Sequence, residues 1–253
     1  MMHTYLILYL RLEKVMERFD EEYRDTEAWD CRTRALIGDE GSKRLKGGKV
    51  VVFGLGGVGS FATEALARAG LGSLVLVDFD VINLSNLNRQ LIALTDTVGR
   101  LKTDVMRERI SKINPNCDVQ VFPQFVSGEN LDNFLNTNID YVIDAIDSVR
   151  SKVDLISNCT DRKIPIVSCM GMGNKLDPSK IKIEDISKTH TCPLARAVRT
   201  GLKKKGIFRG VETVFSTEPP VKSNVGVPSS ISFVPSTAGL MMASVAVNDM
   251  LRR

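Results

Sequence analysis

Lys49-Val-Val-Val-Phe-Gly54 narrows the choice of fold more than any other stretch of the chain. A β-branched and aromatic run without polar alternation makes a strand covered on both faces, as in parallel sheets flanked by helices. Gly54-x-Gly56-x-x-Gly59 follows at once. Val58, Phe61, Ala62, Ala65, Leu66 and Ala69 then recur at helical spacing, and Gly70 stands where the helix should stop. The alternation continues. SLVLVD is a second strand, and a helix fits Arg100 to Ile113, with Leu101, Val105, Met106, Ile110 and Ile113 inward and Asn114-Pro115 closing it. Next come strand-like VQVF, a short helix near Glu129–Leu135, strand YVIDAID, a helix over Val149–Asp161 and strand PIVSCM. Strands alternating with helices predict an α/β fold with a Rossmann-like, doubly wound and mostly parallel sheet.

The pattern changes after Gly171. IKIED, VETVFS and SISFV are expected as strands that add antiparallel pieces to the sheet's C-terminal side. Thr237–Leu251, small and apolar, is expected as one buried helix, too short for a membrane span. At the other end, Tyr5–Leu10 is apolar but lacks the basic flank and small-residue site of a secretory signal. Residues 1–15 therefore stand either as a start-site artefact ahead of Met16 or as a docking turn. Hydrophobic residues at 43% and charged ones at 25% exclude a disordered or fibrous chain. Five cysteines (31, 117, 159, 169 and 192) form no C-x-x-C pair, which points to a reducing cytoplasm and away from structural zinc.

The glycine motif between strand and helix offers a tight turn and unpaired N–H groups to a phosphate. Asp78, closing the second strand, is placed to accept hydrogen bonds from a ribose. A dinucleotide used for hydride transfer and ATP both fit so far. The residues beyond Asp78 favour ATP. Ser85-Asn86-Leu87-Asn88-Arg89-Gln90, then Gly99 and Lys102, bring two cations and several amides close behind the ribose acid. Attack on an α-phosphorus needs such a set, because charge builds on the departing pyrophosphate. Asp147, at the end of YVIDAID, is a candidate Mg2+ ligand through one oxygen or a water. Taken singly, Arg89 and Lys102 also fit solvated surface charges, and Asp147 a helix cap.

VVFGLGGVGS, LVDFDVINLSNLNRQ, VGRLKTDVM, INPNC and VIDAIDS, in this order, resemble the ATP-binding core of the ubiquitin-activating-enzyme superfamily, which includes the bacterial ThiF and MoeB adenylyltransferases. The resemblance implies an N-terminal extension over residues 1–30 and one ThiF-type adenylating domain over 31–253. Within it, 48–170 would be the nucleotide core and 171–253 the substrate and tRNA region. It implies Mg-ATP held by Gly54, Gly56, Gly57, Gly59, Asp78, Asp80, Asn86, Arg89, Gln90, Lys102 and Asp147. It further implies that Arg32, with Arg34 as runner-up, reaches the partner subunit's ATP in a homodimer.

Two absences and several motifs narrow the subfamily. The paired zinc cysteines of ThiF and MoeB are missing, and the crossover stretch FSTEPPVKSNVGVPSSISFVPS has no cysteine for a thioester. RTRALIGDEG, DAIDSVRSK, CPLARAVR, VFSTEPP and FVPSTAGL instead resemble the tRNA threonylcarbamoyladenosine dehydratases. That resemblance implies activation of a carboxylate as an acyl-adenylate, followed by ring closure within the substrate and net loss of water. Closure inside one molecule gains from proximity and needs no protein nucleophile. Arg196, Arg199, Lys203, Lys204, Lys205 and Arg209 form a basic segment that suits tRNA phosphates or, equally, a solvated helix face. Cys192 is expected to be structural or redox-exposed rather than catalytic, with His190 the one hint of activation. The resemblance also brings in a monovalent cation, Na+ or K+, as a candidate loop-ordering ion. A cysteine desulfurase or sulfur-acceptor protein enters as a candidate partner. The rival activities are an adenylyltransferase acting on a ubiquitin-like sulfur carrier, an NAD-linked oxidoreductase, and a non-catalytic scaffold for sulfur transfer.

Overall fold

Val50, Val51, Val52 and Phe53 have no solvent exposure, as a strand without polar alternation requires. They form β1 (Lys49–Phe53), an interior strand of the seven-stranded sheet that the described residues make in the computed structural model. The structure describes residues 28–135, 138–222 and 228–253, so the apolar stretch at Tyr5–Leu10 lies outside the described residues. The chain divides into two compact units, Met1–Lys43 and Arg44–Arg253. Helix α1 (Cys31–Gly47) carries a kink at Gly38, whose φ is 73°.

The second unit alternates as expected: α2 (Gly59–Arg68), β2 (Ser73–Val77), α3 (Lys102–Ile113), β3 (Asp118–Phe122), β4 (Tyr141–Asp144), α4 (Val149–Asp161) and β5 (Ile166–Cys169). Then follow β6 (Ile181–Asp185), α5 (Pro193–Lys204), β7 (Glu212–Ser216) and α6 (Phe233–Arg252). The strand order is β3-β2-β1-β4-β5-β7-β6. Every pair is parallel except β6 with β7, so the antiparallel addition is a single edge strand. Chain direction across the sheet reverses between β1 and β4. A crevice opens at the carboxyl ends of the strands at such a switch point.

Helices α4 and α5 cover one face of the sheet, where Val51, Phe53, Val75, Val77 and Val142 meet Val153, Ile156, Ala195, Val198 and Leu202. On the other face α6 packs against α2 so closely that a Cβ on Gly239 would overlap the Val58 carbonyl. No described helix is long and apolar enough to cross a membrane.

Three elements differ from the sequence-based expectation. SISFV makes no strand; α6 begins at Phe233 and takes in Pro235. Proline is tolerated there because N–H groups in a helix's first turn have no intrahelical acceptor. Helix α3 starts at Lys102, with Leu101 as its cap in an extended conformation, two residues later than the apolar spacing suggested. The segment near Glu129–Leu135 holds only a single 3-10 turn, Leu131–Asn133.

Candidate active site

The glycine loop closes against the β4–α4 connection. Gly54 has φ 88°, and a Cβ there would come within 2.8 Å of the Ala145 carbonyl oxygen. A Cβ on Gly59 would overlap the Gly54 carbonyl itself. No larger residue fits either position without moving backbone. Ser60 fixes the loop from the helix side, its hydroxyl donating to the Gly56 carbonyl at 2.7 Å. Arg89 and Gln90 lie over the loop. A Cβ on Gly57 would touch Arg89 Cγ at 3.3 Å, and one on Gly56 would lie 3.9 Å from Gln90 Nε2. Gln90 is 7% exposed, yet its Oε1 has no hydrogen-bond partner among the described residues. An orphaned acceptor of this kind costs about 1–3 kcal/mol unless a ligand or water satisfies it.

Beside the loop, Asp78 ends in a buried position just past β2. Its Oδ2 accepts the Leu55 N–H at 2.6 Å, and its Oδ1 accepts the Asp80 N–H at 2.8 Å. Lys102 Nζ stands 4.0 Å from Asp78 and donates to Asp80 at 2.6 Å. Burial pushes the Asp78 carboxyl above its ordinary range, against the pull of Lys102 and the two backbone donors. The Lys102 side chain is 5% exposed. The solvated-charge alternative therefore fails for it: a lysine this buried is held by carboxylates, not by water. A short backbone ladder explains the placement. Ile82 donates to Arg100 at 2.9 Å, Gly99 to Ile82 at 2.8 Å and Lys102 to Asp80 at 3.1 Å. These bonds bring the start of α3 back onto the segment that follows β2.

Between those two anchors, Asn86 is buried and accepts the Asn83 N–H at 3.0 Å. Arg89 is half-buried, and its Nη1 donates to the Ser85 carbonyl at 2.8 Å and to Asn88 Oδ1 at 2.9 Å. Gly54, Gly56, Gly57, Gly59, Asp78, Asp80, Asn86, Arg89, Gln90 and Lys102 thus belong to one cluster of connections at the carboxyl ends of β1 and β2. Asp147 is exposed on the β4–α4 connection of the same sheet edge. It is not the helix cap; Ser148 is, accepting the Ser151 N–H. Arg32 is exposed in the first turn of α1, while Arg34 pairs loosely with Asp39 at 3.9 Å.

The basic segment divides. Arg196, Lys203, Lys204 and Arg209 are exposed. Arg199 Nη1 instead donates to the Thr189 carbonyl at 2.9 Å, and Lys205 pairs with Asp154 at 2.8 Å. Cys192 has a structural place: it caps α5, its Sγ accepting the Ala195 N–H at 3.5 Å, and it is 4% exposed. The His190 ring packs perpendicular to Phe215, with centroids 5.4 Å apart, and its Nδ1 lies 2.8 Å from Thr191 Oγ1.

Sequence reasoning missed one group, the wholly buried Asp144, Lys152 and Ser168 beneath the site. A signal was available. Lys152 interrupts the apolar stripe of α4 formed by Val153, Ile156 and Cys159, where a lysine stays only with a partner.

Comparison with known proteins places this geometry. The ThiF family model matches residues 31–252. The tRNA threonylcarbamoyladenosine dehydratase of Bacillus subtilis is 47% identical over 238 residues, covering 87% of this chain and 94% of that protein. The crystal structure of Escherichia coli tRNA N6-threonylcarbamoyladenosine dehydratase, TcdA, in complex with ATP superposes with a TM-score of 0.84 at 40% identity, covering 89% of this chain and 96% of that one. The Escherichia coli molybdopterin-synthase adenylyltransferase is 36% identical over 129 residues, only 51% of each chain. The chain therefore belongs to the ThiF family, on the branch that holds these tRNA threonylcarbamoyladenosine dehydratases.

Proposed function

We propose that the protein is an ATP-dependent tRNA threonylcarbamoyladenosine dehydratase that works through a carboxyl-adenylate. One observation separates this reading from a thioester-forming activator: every cysteine after β4 is buried. Cys159, Cys169 and Cys192 have relative exposures of 0%, 3% and 4%. Burial pushes the Cys159 and Cys169 thiols up to about 12. Such thiols are poor nucleophiles at neutral pH. The chemistry that fits carries its nucleophile in the substrate.

The residues suit a triphosphate. The loop around Gly56 and Gly57 admits close approach, and the Gln90 side-chain amide nitrogen, a donor, lies beside it. Lys102 and Arg89 supply two cations, and Asp78 keeps acceptor capacity for ribose hydroxyls. Asp147 would hold Mg2+, which on binding would neutralise phosphate charge. A single protein carboxylate suffices for Mg2+ when substrate oxygens and waters complete its shell.

A carboxylate oxygen of the threonylcarbamoyl group attacks the α-phosphorus and pyrophosphate leaves. Lys102 and Arg89 stabilise the charge that develops. The ureido group then attacks the activated acyl carbon, and AMP departs with the former carboxylate oxygen, so the nucleoside loses one water. Lys102 draws on its two carboxylate neighbours for this work, since Asp80 holds its Nζ within 4.0 Å of Asp78.

The supporting roles belong to the same proposal. A homodimer would let Arg32 complete the neighbouring subunit's phosphate site. Exposed Val81, Leu84, Leu94, Phe233 and Leu240 give this chain apolar surface of the sort a second copy would cover. Arg196, Lys203, Lys204 and Arg209 would track tRNA phosphates, and the setting would be the cytoplasm. Purified protein, Mg-ATP and tRNA carrying threonylcarbamoyladenosine test the reading. ATP-dependent loss of one water from that nucleoside is expected. AMP and pyrophosphate formed only with a ubiquitin-like carrier's C-terminal glycine would replace it.

A further inference from the structure

Asp144 and Lys152 form an ion pair at 2.8 Å with both side chains wholly buried. No step of the proposed reaction uses either residue. A buried pair gains little net stability over apolar residues of the same volume, because desolvating both charges offsets their attraction. What the pair holds still is more informative.

Asp144 ends β4, Ser168 lies on neighbouring β5, and Lys152 sits near the start of α4. The Ser168 hydroxyl donates to Asp144 Oδ2 at 2.6 Å. Lys152 Nζ donates to the same oxygen and, at 3.2 Å, to Ser168 Oγ. That leaves Oδ1, which accepts the Ile146 N–H at 3.1 Å. The carboxylate is pinned on one side by a cation and a hydroxyl. On its other side it grips the backbone one residue before Asp147. The same turn is fastened from above. The Ala145 N–H donates to the Phe53 carbonyl at 2.8 Å, and the Ala145 carbonyl fills the space that a Gly54 side chain would need. Asp147 itself is exposed, with no side-chain partner among the described residues, so backbone alone sets its place.

We infer that Lys152 and Ser168 are positioning residues. Through Asp144 they fix the turn that carries Asp147; the Ala145 backbone of that turn packs on Gly54 of the glycine loop. This rests on the assignment of Asp147 to the nucleotide site, made above.

The test is a double-mutant cycle on the full chain, reading the AMP-forming rate with radiolabelled ATP and, separately, the ATP dissociation constant. Ser168→Ala and Lys152→Met are each made alone and together with Asp147→Asn. Alone, each should lower kcat about tenfold or more, as loss of a residue supporting a metal ligand does, while ATP affinity moves less than about threefold. In the Asp147→Asn background neither should lower the rate further. Equal losses in both backgrounds overturn the inference, since a support for the fold alone costs the same with or without Asp147. An unchanged kcat in the single variants overturns it as well. A wild-type rate for Asp147→Asn by itself removes instead the site assignment beneath it. Should Lys152→Met not fold, Ser168→Ala decides alone, because it leaves the ion pair in place.

Discussion

Two charged regions of this fold are built differently. At the carboxyl ends of β1, β2 and β4, side chains are placed by backbone. Asp78 is held by two N–H groups, Lys102 by a short ladder to Asp80, and the β4–α4 turn by Phe53 and Asp144. On α5, by contrast, apolar Ala195, Val198 and Leu202 hold the helix to the core, and most of its cations project into solvent. The first region holds most of its charges through individual hydrogen bonds; the second spreads charge over a face. Chemistry on one phosphorus atom needs the former. Holding a long polyanion needs only the latter.

Substitutions should separate the two regions. The largest effect is expected from Lys102→Ala, which removes a phosphate cation and leaves Asp78 and Asp80 facing each other uncompensated. AMP formation should fall at least about a hundredfold, read as radiolabelled AMP under saturating ATP. A rate within threefold of wild type would move the phosphate site elsewhere. Next is Gly59→Ala, whose methyl must displace the Gly54 carbonyl. It should cost about 1–3 kcal/mol of stability in chemical denaturation and weaken ATP binding at the same time. Loss of stability with unchanged ATP affinity would argue that the loop does not cradle the nucleotide.

Lys203→Ala with Lys204→Ala should act only on the nucleic acid. The slope of log affinity for tRNA against log salt should flatten by about 1–2, with AMP formation on saturating substrate unchanged. An unaltered slope would return α5 to being an ordinary solvated helix. The smallest effect concerns neither region. Burial raises the Glu64 carboxyl, but hydrogen bonds from Arg109 and Arg68 outweigh it and hold the group below its ordinary range. A depressed carboxyl adds stability above its unfolded value, and that stability is lost as pH falls through the folded value. Glu64→Gln should therefore cost about 1 kcal/mol at pH 7 and progressively less below pH 4, by thermal denaturation across pH.

The same contrast explains what the sequence disclosed. Gly54, Asp78, Asn86, Arg89, Gln90 and Lys102 sit in motifs that are contiguous or closely spaced along the chain, so the sequence and its family resemblance could single them out as candidates. Strand periodicity likewise fixed β1, β2 and β4, because their residues are buried on both faces. What stayed hidden depends on distant contacts. The burial of Lys102 needs a ladder between segments about twenty residues apart. The Asp144–Lys152–Ser168 group joins two strands and a helix. SISFV carried strand-like residues, yet packing of α6 on α2 through Gly239 drew its last two residues into a helix. Arg199 and Lys205 belonged to a basic run by sequence but are engaged by Thr189 and Asp154.

The central claim is that this site activates a carboxylate on tRNA with ATP and lets the substrate close on itself. Its most direct test is the mass of one nucleoside. Protein, Mg-ATP and tRNA bearing threonylcarbamoyladenosine are incubated, digested gently and weighed. The account predicts that the modified nucleoside loses one water when ATP is present and none when it is absent. An unchanged nucleoside mass, with AMP released only on some other carboxylate, would contradict it.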